Sequence, residues 1–138
     1  IIIISYYSIM RHKNNRVTKL ASGAQKYSLL MRNLLTSLVT SGQIITTQKR
    51  AKAVCAEADS FFAHLVSWAN AEDAAAGKRV VIAMLKQTLF TDEAGKKVIN
   101  DLLPAWSQAK KNAGFVTWLK LGPRKWDAAE KMIVRING

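Results

Sequence analysis

The apolar residues change their spacing along this chain, and that change does most to set the fold class. Tyr27, Leu30, Met31, Leu34, Leu35 and Leu38 recur at helical spacing and make one apolar stripe. From Phe115 onward the period is two. In "FVTWLKL" (115–121), Phe115, Thr117, Leu119 and Leu121 alternate with Val116, Trp118 and Lys120. In "KMIVRI" (131–136), Met132, Val134 and Ile136 alternate with Lys131, Ile133 and Arg135. Helical spacing followed by two alternating runs around a turn-like "GPRKWDAAE" predicts helices and a C-terminal antiparallel hairpin in one α+β domain.

The intervening residues fill in that plan. Ser22 and Gln25 have capping-box spacing at the start of the first helix, and Gly42 suits the left-handed turn that ends it. "QIITT" (43–47) is short and β-branched, so it reads as a strand. Thr47 is then placed to cap a second helix reaching Ala69, with Val54, Ala58, Phe61, Leu65 and Trp68 inward and Phe62, Val66 and Ala69 widening the face. "AEDAAAG" interrupts the pattern before a third helix with Val80, Val81, Met84, Leu85 and Leu89. A fourth starts at Thr91 or Asp92 and carries Val98, Ile99, Leu102 and Leu103, with Pro104 expected to end or bend it. The expectation is about four helices packed on a small three-stranded sheet, preceded by a basic N-terminal arm. No repeat or linker divides the chain, and 138 residues suit one domain.

Charge is distributed unevenly. The net formal charge is +12. Nine cations and no carboxylate lie between Ile1 and Ala56, whereas the remaining 82 residues hold twelve cations and all nine acids. Such one-sidedness points to a polyanionic partner, nucleic acid or an anionic membrane surface. Within it, "MRHKNNRVTKL" (10–20) has only Val17 and Leu20 as apolar residues after its methionine. Too polar to be held by a core of its own, this arm is expected to order only against a partner. Residues 1–9, "IIIISYYSI", are apolar but lack the basic start of a signal peptide, and they read as an extension ahead of a start at Met10. The boundaries are therefore 1–9 for the extension, 10–21 for the arm and 22–138 for the globular domain.

Catalytic chemistry finds little support. Cys55 is the single cysteine, which excludes a disulfide framework and a cysteine-based metal cluster and is compatible with a reducing cytosol. No apolar run reaches the roughly 18 residues of a membrane span. His12 sits in the basic arm and His64 on the second helix, where a half-buried structural role is expected. There is no phosphate-binding glycine loop, metal-ligand spacing or nucleophile elbow. The acid pairs Glu72–Asp73 and Asp92–Glu93 fall at helix starts, where they favour the helix dipole. No cofactor, metal or small-molecule substrate is implied.

The cations point elsewhere. Lys49, Arg50 and Lys52 crowd the first turn of the second helix, where positive charge opposes the dipole and phosphate oxygens would relieve it. Lys120, Arg124 and Lys125 surround the hairpin connection beside Trp126, an arrangement that offers charge and stacking together unless the indole folds back on the sheet.

These segments carry a resemblance. "MRHK" at Met10, "MRNLLTSLV" (31–39), "IITT" (44–47) with "RAK" (50–52), and "LKLGPRKWDAAEKMIV" (119–134) resemble, in order and spacing, bacterial large-subunit ribosomal protein seventeen. The resemblance runs from Met10 to Gly138. It implies a non-catalytic protein of helices against a small sheet, in the large subunit of the cytoplasmic ribosome. The implied partners are the large ribosomal RNA and neighbouring ribosomal proteins near the polypeptide exit region. On the matching positions and the charge pattern together, the expected RNA-contacting residues are Arg11, His12, Lys13, Asn14, Asn15, Arg16, Lys19, Lys26, Arg32, Lys49, Arg50, Lys52, Lys120, Arg124 and Lys125. There are departures. Where the family has an arginine and a Ser-Ser-His-Arg-like run after its early leucine, this chain has "ASGAQKY" after Leu20, and the family's Tyr-Thr-Arg is "FVT" at 115–117. One residue is also inserted between Met10 and Arg32. No RNA contact is therefore assigned to Ala21, Ser22, Gln25 or Thr117. A free-standing nucleic-acid-binding regulator or nucleoid protein is the alternative from another class, and a small nuclease the third.

Overall fold

A computed structural model describes Leu20 and residues 24–138. The extension, nearly all of the arm and the Ser22 end of the expected capping box lie outside these residues. Helix α1 (Ala24–Ser41) buries Met31, Leu35, Leu38 and Val39, with Tyr27 and Leu34 half-buried against the same core. Gly42 ends it as expected. Its φ of +77° lies in the left-handed region that other residues enter only at a cost, and its N–H donates to the Leu38 carbonyl at 2.8 Å. The chain thus turns directly into β1 (Gln43–Thr47), and α2 (Gln48–Ala69) follows without a connecting loop.

Helix α2 is the centre of the fold. It buries Ala51, Ala53, Val54, Cys55, Ala58, Phe61, Phe62, Leu65 and Val66. Trp68 and Ala69, expected inward, are exposed. Thr47 occupies the N-cap position but its hydroxyl makes no capping bond. Helix α3 (Ala74–Thr88) is capped instead by Asp73, whose carboxylate accepts from the Ala75 and Ala76 N–H groups at 3.0 and 3.2 Å. It buries Gly77, Val81 and Leu85, four residues apart each time. Gly77 is placed by contact: a Cβ there would lie 2.4 Å from the Trp68 carbonyl oxygen, so α3 meets the end of α2 backbone to backbone.

The fourth helical segment does not end at Pro104. Helix α4 (Asp92–Lys97) passes through a π turn (Val98–Leu102) into α5 (Leu103–Gln108). Proline lacks an N–H and its ring clashes with the carbonyl four residues back, and the widened turn immediately before it accommodates both. The extra residue also resets the inward face. Ala94, Val98, Leu103 and Trp106 are buried, while Ile99 is exposed and Leu102 only half-buried.

Strands β2 (Val116–Pro123) and β3 (Glu130–Ile136) form the expected hairpin, and β3 also pairs antiparallel with β1, giving the order β1-β3-β2. Met132, Val134 and Val116 are buried under the helices. Ile45, Ile133 and Leu119 form one register row on the opposite face. Alternation in β2 holds only to Lys120, since a bulge at Leu121 separates Lys120↔Met132 from Gly122↔Lys131. Phe115 precedes the strand and is buried. It joins Phe62 and Trp106 in an aromatic cluster, with centroids 4.9 Å apart for Phe62–Trp106 and Trp106–Phe115. Each such ring contributes about 1.5–3 kcal/mol through burial. Two polar anchors fix the cluster's rim. The Trp106 indole N–H donates to the Asn137 carbonyl at 2.8 Å, and the Val116 N–H donates to Asp59 Oδ1 at 2.9 Å.

Candidate nucleic-acid interface

The sheet register brings the two basic clusters of the domain together. Thr47, the last residue of β1, stands opposite Lys131, and Lys131 stands opposite Gly122 on its other side. Both α2 and the β2–β3 connection therefore leave the sheet at the same end. Lys49, Arg50 and Lys52 are exposed on the first turn of α2, with Ala51 between them buried in the core. Among the described residues no carboxylate lies within ion-pair distance of these three. The α2 N-terminus has neither a side-chain cap nor an acid in its first turn. Free amide N–H groups and uncompensated cations thus share one helix end, a setting that suits phosphate oxygens.

The hairpin connection supplies the other half. The Arg124 N–H donates to the Ala129 carbonyl at 2.9 Å and the Ala128 N–H to the Arg124 carbonyl at 3.1 Å, closing the loop. Arg124 holds Asp127 through two bonds, Nε–Oδ1 at 3.0 Å and Nη2–Oδ2 at 2.6 Å, and its guanidinium lies 4.8 Å from the centre of the Trp126 ring. Lys120 pairs loosely with Glu130 at 3.6 Å. Lys125 is exposed and, among the described residues, unpaired. The indole of Trp126 does not fold back on the sheet. Lys131, which joins the two clusters, was hidden in the sequence as one outward residue of an alternating strand. Only its register opposite Thr47 and Gly122 marks it.

Other expected residues fall elsewhere. Lys26 is exposed on α1. Arg32 is occupied within the fold. Its Nη2 donates to the Leu89 carbonyl at 3.2 Å and its guanidinium lies 4.2 Å from the centre of the Phe90 ring, tying α1 to the α3–α4 turn. Arg11, His12, Lys13, Asn14, Asn15, Arg16 and Lys19 lie outside the described residues. The half-buried role expected for His64 does not hold. The side chain is exposed on α2, beside an open groove with Tyr27, Glu57 and Met84.

Cys55 is buried, and burial, reinforced by the nearby Asp59 charge, pushes its thiol up to about 11, the reverse of nucleophile activation. Among the described residues no three His, Cys, Asp or Glu side chains gather to hold a metal, and no helix is long and apolar enough to cross a membrane.

Comparison with known proteins identifies the family. A family model described as Ribosomal protein L17 matches residues 30–137. A "Large ribosomal subunit protein bL17" of Clostridioides difficile is 31% identical over 118 residues, covering 86% of this chain and 95% of the relative. Proteins of the same name from Dictyoglomus thermophilum and Solibacter usitatus are each 34% identical. They cover 92% and 94% of this chain and 99% and 78% of their own lengths. With a family match over most of its length, and with relatives of that identity covered nearly end to end, this chain belongs to the ribosomal protein L17 family.

Proposed function

We propose that this chain is a structural, non-catalytic constituent of the large ribosomal subunit that binds the large ribosomal RNA and supports subunit assembly. The observation that carries the reading, given the family, is the convergence of Lys49, Arg50, Lys52, Lys125 and Lys131 at one end of the sheet. A phosphate backbone is the partner whose charge that surface matches. Lys120 and Arg124 lie at the same end with their charges partly compensated by Glu130 and Asp127. The arm residues Arg11, His12, Lys13, Asn14, Asn15, Arg16 and Lys19 extend the contact on the strength of their chemistry, and Lys26 adds a cation on α1. Arg32, also expected among the contacts, is bonded within the fold to the Leu89 carbonyl. Neighbouring ribosomal proteins, and a place near the polypeptide exit region of a cytoplasmic ribosome, complete the proposal.

Sedimentation of the tagged full-length chain from cell lysate tests it. Co-migration with large subunits is expected, lost progressively in high-salt washes because phosphate contacts release counterions. Recovery only at the top of the gradient overturns the reading and favours a free-standing nucleic-acid-binding protein.

A further inference from the structure

Trp126 is 80% exposed, the most exposed large hydrophobic side chain among the described residues. Scattered exposed hydrophobic residues are ordinary, so exposure alone means little. Here the side chain is also held in place. The Arg124 guanidinium lies over one face of the indole, and Arg124 is itself fixed by its two bonds to Asp127. Asp127 further accepts the Ala129 N–H at 3.1 Å, and the loop is closed by the backbone bonds between residue 124 and residues 128 and 129. Ala128 sits at a φ of +54°, a left-handed conformation that a non-glycine residue keeps only where its surroundings enforce it. Among the described residues no other ring or cation lies over the indole, which leaves its second face open.

We propose that the open face of Trp126 is a preorganised stacking platform for one unpaired nucleobase of the bound RNA. The inference rests on the RNA-binding reading above and adds a contact mode to it. An aromatic face held by a guanidinium behind it suits a base, because stacking and cation–π attraction reinforce each other. The setting favours a nucleobase over an apolar protein surface. Lys125 is adjacent and exposed, and the α2 cations leave the sheet at the same end, so an apolar partner covering Trp126 would desolvate charge without compensation. Asp127 neutralises Arg124, and the indole is uncharged. The contact therefore adds affinity without adding a phosphate neutralisation, and that separates it experimentally from every cation nearby.

The test measures binding of the full-length chain to a transcript of the large-subunit ribosomal RNA across a salt series, for wild type, W126A and W126F. Thermal melting of each variant verifies the fold, which an exposed side chain leaves unchanged. W126A is expected to bind roughly 5- to 150-fold more weakly at every salt concentration, with the slope of log affinity against log salt unchanged, and W126F to recover most of that loss. Equal binding by W126A and wild type overturns the platform. So does a flattened slope, which would mean that the substitution acts through the cations. Unchanged RNA affinity with W126A depleted from assembled subunits overturns it too, and assigns the indole to a protein neighbour. If wild type itself fails to bind the transcript, the RNA-binding reading falls first, before any variant is compared, and the platform with it.

Discussion

Lys131 stands in register directly opposite Thr47, the residue that ends β1 and immediately precedes the basic first turn of α2. One pairing thus joins two cation clusters that lie some seventy residues apart in the chain. Such a surface carries an electrostatic penalty of its own. Cations at a helix N-terminus oppose its dipole by a few tenths of a kcal/mol each (about 0.3–1 at most), a penalty that bound phosphate reverses.

Replacing Lys49, Arg50 and Lys52 with alanine is expected to flatten the slope of log RNA affinity against log salt by about two to three units, since each lost phosphate contact removes about 0.7–0.9. Adding K131A to that triple variant should remove roughly one further contact. The salt dependence of filter-binding or anisotropy titrations reads both. An unchanged slope in the triple variant would show that this end of the sheet faces water in the complex.

Arg32 is expected to behave differently from those cations. R32M removes a hydrogen bond to the Leu89 carbonyl and the packing on Phe90, but also a buried Nε that has no partner among the described residues. The gain from removing that unmet donor offsets part of the loss, so a destabilisation of about 1 kcal/mol is expected. The RNA salt slope should stay at the wild-type value. Chemical denaturation and the same titrations check the two halves separately, and a flattened slope with full stability would give Arg32 to the RNA.

Two glycine-to-alanine changes should have opposite signs. Alanine in place of glycine inside a helix ordinarily stabilises by about 0.5–1 kcal/mol. At Gly95 a Cβ would meet only the Leu85 Cβ at 4.0 Å, so G95A should show that gain. At Gly77 it would lie 2.4 Å from the Trp68 carbonyl oxygen, which is backbone and cannot swing aside. Overpacking of this kind costs about 1–3 kcal/mol, and G77A should be net destabilised. Thermal melts of the two variants side by side decide the matter. A stabilised G77A would mean that α2 and α3 are not in backbone contact.

The Cys55 thiol is pushed up to about 11 by burial and by the Asp59 charge. Its folded-state value lies above its ordinary value of 9.0, so the neutral thiol is the form that folding favours. The stability linked to this group is therefore complete below pH 9 and is lost as pH rises through about 11. Compared with C55A, wild type should lose additional stability across that window, measured by denaturant titration at each pH. In the native state the thiol should also react with a disulfide reagent at pH 8 far more slowly than in denaturant. Equal rates would place it at the surface.

How much of this was legible in the sequence depends on the range of the interactions concerned. Helix α1, its stop at Gly42, the strand at 43–47 and the hairpin near 115–136 were legible because each is signalled by the spacing of residues one to four apart. The basic turn at Lys49, Arg50 and Lys52 was legible for the same reason. The outcomes that differed were set by distant packing. Ile99 turns outward because a π turn ahead of Pro104 shifts the helix by one residue. His64 is exposed at the rim of an open groove lined by residues of α1, α2 and α3, an arrangement local spacing does not reveal.

By itself, then, the sequence determined the class of fold, the excess of positive charge and the identity of the cations available. Periodicity and composition are local properties, and they suffice for those. Only the tertiary structure decided which cations lie at the same end of the sheet. The β1-β3-β2 order places Lys131 between Thr47 and Gly122, the Leu89 carbonyl and Phe90 engage Arg32 within the fold, and Asp127 holds Arg124 against Trp126. Most of these choices are made by strand register and by contacts more than fifty residues apart in sequence, which no spacing rule along the chain encodes.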